Sequence, residues 1–226
     1  MTVAFVLIMV AAFLLADWLL HRRQAARAPV SAPAAPDADA VRLPRGVFFA
    51  PSHTWLSLLP SGRAWLGLDD FVSRLLADPV VEVLKPAGSR VARGEALLRI
   101  RDSGRGLTVR SPIDAAVVGV NPEIGRPGAL RAPLPFCERW ACELDPDRGS
   151  DLRALPLGEE AQAWMQAEFR RLRDLLAGAG PALSPAALQD GGSPVAGALR
   201  HSDPDTWARF EREFLEVRPQ TNPKER

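Results

Sequence analysis

The sequence predicts a small, mainly β domain of the sandwich or partly closed barrel kind, with flanking helices and one apolar helix ahead of it. Three observations carry this reading. From Val47 onward, short β-prone runs alternate with turn residues at close spacing. Helical periodicity dominates only the C-terminal third. Residues 2–20, "TVAFVLIMVAAFLLADWLL", are almost wholly apolar.

That apolar run is long enough to cross a bilayer as a helix. Asp17 falls near one end, where a charge costs far less than at the bilayer centre, and Trp18 suits the headgroup level. The positive charge follows the run, as "HRRQAAR" at residues 21–27, instead of preceding it as in a cleaved signal peptide. The expectation is a single-pass anchor in the inner (cytoplasmic) membrane, inserted through residues 3–20. Its N-terminus would lie outside and its globular domain in the cytoplasm. Residues 28–46 are rich in Ala, Pro and Asp and read as a semi-extended tether.

Within the β region, "TWLSLL" and "AWLGL" flank "PSG", which predicts a hairpin. "DDFVSRLLA" predicts a short helix capped by Asp69 or Asp70, with Phe71 and Leu75 on its apolar face. "PVVEVLK" and "EALLRI" are strands separated by the turn "PAGSRVARG". "LTVRSP" and "AAVVGV" follow a glycine-rich tip, and "WACEL" is a last strand. The resulting organisation is an anchor at 1–23, a linker at 24–46, a β domain with its terminal helix at 47–178, and a connector with an amphipathic helix at 179–226.

In the C-terminal third, "LGEEAQAWMQAEFRRLRDLLAG" predicts a helix with Met165, Phe169, Leu172 and Leu176 on one face. After a Pro/Ala/Gly-rich connector, Asp203 caps a second helix and Pro204 occupies its first turn. Trp207, Phe210 and Phe214 form an aromatic stripe at helical spacing. The stripe either packs on the chain's own core or, carried on a flexible connector, plugs into a partner subunit; these three are candidate partner-docking residues.

Composition narrows the function classes. The 226 residues carry a formal net charge of +1, too near neutrality for a general nucleic-acid binder. Of 28 basic residues only Lys85 and Lys224 are lysines, which together with the abundant Ala and Pro reads as coding bias. Cys137 and Cys142 make no disulfide framework, and their spacing fits no common metal motif. They read as free, at least half-buried thiols. No metal site and no catalytic residue is expected.

Four segments in register carry a family resemblance. "PSHTWLSLLPSGRAWLGLDDFVSRLL" is similar to the opening of the glycine cleavage system H protein family, with its Ser-His-x-Trp turn and Gly-x-x-Asp-Phe step. "SPIDAAVVGVNPEI", "PFCERWACELDP" and "LGEEAQAWM" resemble later parts of the same family, from about Val47 to Glu168. The resemblance implies a lipoyl-type hammerhead, a barrel-sandwich hybrid. It also implies a lysine at a hairpin tip, bearing lipoate through an amide and carrying an aminomethyl group between enzymes.

Counting back from Ser111-Pro112, that lysine would fall near Gly104, between Ser103 and Arg105, and no lysine occurs between Lys85 and Lys224. Arginine is no substitute, because its guanidinium stays protonated and is a poor nucleophile. Lipoate is therefore expected to be absent. Around the tip stand Arg99, Arg101, Arg105 and Arg110. They either keep a sheet edge soluble or form a docking surface for an acidic partner or anionic headgroups. His53 and Trp55 read as structural, with no nucleophile or carboxylate partner nearby in the sequence, and Asp69-Asp70 as a helix cap instead of an acid/base pair.

The functional expectation is a non-catalytic, membrane-anchored accessory or scaffold subunit that meets protein partners in a membrane complex. Its rivals are a genuine lipoyl aminomethyl carrier and a periplasmic adaptor of an efflux or secretion system.

Overall fold

The computed structural model describes residues 43–130, 136–177, 197–200 and 202–217. The expected membrane span and most of the connector lie outside these residues. Among the described residues no helix is long and apolar enough to cross a membrane.

Among the described residues nine strands make two antiparallel sheets. β1 (Val47–Ala50), β2 (Thr54–Leu58), β3 (Ala64–Leu68), β9 (Trp140–Pro146), β8 (Ala115–Val120) and β5 (Arg90–Val91) follow one another, in that spatial order, in a six-stranded sheet. β4 (Val80–Val83), β6 (Ala96–Asp102) and β7 (Arg105–Arg110) form a three-stranded sheet with β6 in the middle. The predicted Pro60–Gly62 turn joins β2 to β3, closed by Leu59 N donating to Arg63 O at 2.8 Å.

Helix α1 (Asp70–Leu75) starts where expected. Asp69 is its N-cap, with Oδ1 accepting from Val72 N at 3.1 Å, which satisfies one of the free amides of the first turn. Phe71 and Leu75 are fully buried against Leu56, Leu66, Ile100 and Leu107 from both sheets. On the other side of the six-stranded sheet, the Trp55 indole lies across Gly67. A β-carbon there would sit 2.5 Å from the Trp55 ring and 2.7 Å from Arg139 O, so only glycine lets the ring approach. Trp55 Nε1 donates to Leu68 O at 2.9 Å, which satisfies the one polar atom of the buried ring.

Helices α2 (Gly149–Arg153) and α3 (Glu159–Ala177) follow β9. Of the predicted α3 face, Met165, Leu172 and Leu176 are buried and Phe169 is half-buried, its ring 5.3 Å from that of Phe71. Helix α4 (Pro204–Phe210), capped by Asp203, continues into a π-helical turn, Glu211–Leu215.

The aromatic stripe gives a correction. Trp207, Phe210 and Phe214 are not presented to a partner: they are 6%, 0% and 0% exposed and belong to the domain's own core. Phe214 stacks between Phe210 at 5.1 Å and Phe71 at 5.7 Å. The β domain leaves an apolar seat beside α1 and β7, and filling it removes three aromatic rings from water. The C-terminal helix is thus part of one unit with the β domain.

Phe210→Ala is expected to cost about 3–5 kcal/mol of stability, measured by urea unfolding of the full chain. A loss below about 1 kcal/mol would contradict packing of the stripe in cis.

Candidate functional site

The β6–β7 hairpin turns through Ser103 and Gly104, whose φ values are 51° and 79°. Both central residues are left-handed, as a two-residue hairpin loop requires for its twist to match the strands. Glycine meets this without steric cost, and nothing lies within 4 Å of where a Gly104 β-carbon would be. Asp102 and Arg105 face each other across the base of the turn. Asp102 is 2% exposed, and its carboxylate accepts from the amides of Ala77 and Asp78 at the exit of α1 and from Ser103 Oγ at 3.3 Å. The tip is exposed but pinned at its root.

Gly104, expected at the degenerate attachment position, is thus the second residue of the turn, and Ser103 is the first. An amide to lipoate needs a primary amine here, and a hydroxyl and a hydrogen do not supply one. The residues of the turn do not fit the group. Lys85 lies beyond the end of β4 and is ion-paired with Glu95, away from the turn.

The four arginines expected at the tip do not form one patch. Arg99 and Arg101 project from the solvent face of β6, where Arg101 meets Glu82 at 2.7 Å. Arg110 donates to Gly94 O at 3.0 Å. Arg105 is turned aside: its Nη1 donates to Ser202 O at 2.7 Å, and its guanidinium lies 5.4 Å from the Trp207 ring centre. It joins the contacts through which α4 covers the outer edge of β7. Trp207 Nε1 donates to Gly106 O at 3.0 Å, and Thr108 N donates to Glu211 Oε1 at 2.8 Å. An edge strand that would otherwise present free backbone groups is satisfied by side chains. Sequence spacing had grouped Arg105 with the other three because the contacts that remove it come from residues about a hundred positions away.

His53 also departs from expectation. It does have carboxylate partners: Nδ1 lies 2.7 Å from Asp69 Oδ2, and Nε2 lies 3.6 Å from Glu168 Oε2. The ring is fully buried, stacked on Phe71 at 4.2 Å and flanked by Trp164 and Phe214. Burial by itself would lower the imidazole pKa. The charge and hydrogen bond of Asp69, then those of Glu168, overcome it and raise the value from 6.5 to about 9. Burial likewise pushes the Glu168 carboxyl up, but His53 and Arg171 hold it below its ordinary value.

The cluster extends further. Arg171 binds Glu168 at 2.5 Å, donates to Glu213 O at 2.6 Å and lies 4.7 Å over the Phe214 ring. Asp70, next to the cap, pairs with the buried Arg139 at 2.6 Å. Asp69 was legible as a cap, and its second oxygen was the signal for a further partner. Glu168 gave no local signal.

Chemically this cluster is closed. His53 is fully buried, and the hydroxyls that flank it in the chain, Ser52 and Thr54, are buried and bonded to each other at 3.1 Å. Among the described residues no group of three or more His, Cys, Asp or Glu is placed to hold a metal ion. Cys142 is buried, and desolvation pushes its thiol up to about 12, so it stays protonated.

The His53 shift has a stability consequence. The folded pKa lies above the unfolded one, so the His53 ion pairs contribute fully below pH 6.5, and their contribution is lost as pH rises through about 9. The expected loss is about 3 kcal/mol between these limits. Thermal melts of the full chain should fall over that window, and the fall should flatten in His53→Gln. An unchanged pH dependence in the variant would remove His53 as its source.

Comparison with known proteins matches the glycine cleavage H-protein family over residues 47–168. The probable glycine cleavage system H protein of Thermococcus gammatolerans is 25% identical over 127 residues, covering 56% of this chain and 88% of that protein. The glycine cleavage system H protein of Opitutus terrae is 28% identical over 114 residues, covering 50% and 89%. Among solved structures, the glycine cleavage system H protein of Mycobacterium marinum aligns with a TM-score of 0.47 at 19% identity, covering 55% of this chain and 99% of that one. Helix α4, which covers β7, lies outside the matched span. Matched over more than half its length, from β1 into α3, this chain belongs to the glycine cleavage H-protein family.

Proposed function

We propose that this chain is a membrane-tethered, H-protein-like accessory subunit that binds protein partners and carries no lipoate. The observation that carries the reading is the hairpin turn itself. Ser103 and Gly104 form the turn at which the family resemblance implies an acceptor amine, and neither supplies one. The cover over β7 supports it from a second direction. The outer strand of the hairpin is occupied by Trp207, Glu211 and the Ser202 carbonyl, which leaves less of the hairpin open to a modifying enzyme.

The membrane part of the reading rests on residues 3–20 and the basic flank at 21–27. Such a tether would hold the domain in the cytoplasm beside an inner-membrane complex. With a closed His53 cluster and no amine at the hairpin tip, the domain acts by contact and not by catalysis.

Affinity purification of the tagged full chain from gently solubilised native membranes, with intact-mass measurement of the bait, tests this directly. The expected result is an unmodified chain with a stoichiometric set of other subunits. A bait carrying a lipoyl mass, or arriving with glycine-cleavage enzymes alone, would restore the carrier reading. A reporter fused to the C-terminus is expected to be active on the cytoplasmic side. Activity confined to the periplasmic side would favour an adaptor.

A further inference from the structure

The three-stranded sheet has one edge taken. α4 occupies the β7 side of the hairpin, so a partner that approaches this sheet meets its solvent face or its β4 side. Both carry recognisable chemistry. On the face, Arg99 and Arg101 of β6 stand in register with Thr108 and Gly106 of β7, and Arg110 follows on the same side. The carboxylate on this face is Glu82, directly opposite Arg99 and bonded to Arg101. Three guanidinium groups against that carboxylate leave the face positive, with Glu211 engaged on the Thr108 amide at its margin.

Along β4 this face runs into a groove of about 430 Å³. One wall is Val80 and Val83, and the other is Val120 and Pro122, with Arg101 and Glu82 lining the same groove. Val120 is 37% exposed, one of few large apolar side chains in the described domain that is open to solvent. The far wall is preformed. Asn121 Nδ2 donates to Trp140 O at 2.8 Å and its Oδ1 accepts from Glu123 N at 3.0 Å, which fixes the loop that follows β8. At Gly125 that loop comes close to Val81 O.

We infer that this face and groove are a docking surface for an acidic protein segment that carries an apolar anchor. The anchor enters between Val83 and Val120, and its flanking carboxylates meet Arg99 and Arg101. The concave shape favours such a segment over a flat anionic lipid surface. Arginine suits the task, since its planar fork pairs with carboxylates in two parallel hydrogen bonds. This inference rests on the reading of the domain as a docking subunit, and it assigns that docking a place and a ligand chemistry.

The test is selection of a random-peptide library, displayed on phage, against the full chain in detergent, followed by titration of a synthetic copy of an enriched peptide. Enriched sequences are expected to place Asp or Glu beside Leu, Ile or Phe. Affinity should fall at least tenfold in Arg99→Glu and in Val120→Asp, and with added salt, but not in Arg153→Glu on α2. Arg99→Gln and Val120→Asn are milder companions, and the melting temperature of each variant checks the fold.

Three results would overturn the inference. One is selection without acidic enrichment. Another is binding that Arg99→Glu and Val120→Asp leave intact. The third is displacement of the peptide by vesicles of equimolar phosphatidylglycerol and phosphatidylcholine, which would assign the face to lipid. None of these depends on whether the purified bait carries lipoate, so failure here is separable from failure of the functional reading.

Discussion

A protonated imidazole buried between two carboxylates organises this fold. His53 sits at the β1–β2 turn in a left-handed conformation, Asp69 caps α1, and Glu168 lies on α3. Arg171 continues the chain of charges to the carbonyl of Glu213 and the ring of Phe214. His53, Asp69 and Glu168 are buried in a largely apolar shell, and the half-buried Arg171 completes two cations against two anions. Burying any one alone would cost several kcal/mol, so each element that brings a member is held in place by the others. An apolar replacement of similar volume can match such a cluster in stability. What the cluster supplies is therefore a unique arrangement: the hairpin, α1, α3 and the C-terminal turn meet in one register.

That arrangement bears on function because it seats the C-terminal turn against β7. Once Phe210 and Phe214 fill the space beside Phe71, Trp207 and Glu211 reach the outer backbone of β7, and Arg105 bends back to Ser202. Two features therefore converge on one hairpin: its tip displays a hydroxyl, and its edge is covered by a helix beyond the residues matched to the family. The same hairpin keeps an undisturbed turn and a pinned root at Asp102.

Much of the site was legible because its determinants are local. The Ser103-Gly104 turn follows from residues that accept left-handed φ, and the Asp69 and Asp203 caps follow from side-chain oxygens three residues before an unsatisfied amide. The mainly β fold class and the family both followed from such local patterns in a consistent order. Where readings failed, the deciding partner was remote. Arg99, Arg101, Arg105 and Arg110 look alike in sequence, and only the approach of α4 separates Arg105 from the rest. His53 looked isolated because Glu168 comes from a helix more than a hundred positions further along the chain.

By itself the sequence determined the strand order's raw material, the helix starts, the family, and the absence of an amine at the hairpin tip, since each depends on residue identity or on neighbours within a turn. Tertiary structure alone decided which way the Trp207–Phe214 stripe faces, which arginines remain on an open face, and that a histidine in the core is charged. Those outcomes depend on desolvation and on contacts between segments far apart in the chain. Neither quantity exists until the apolar faces of the sheets and helices have closed on one another.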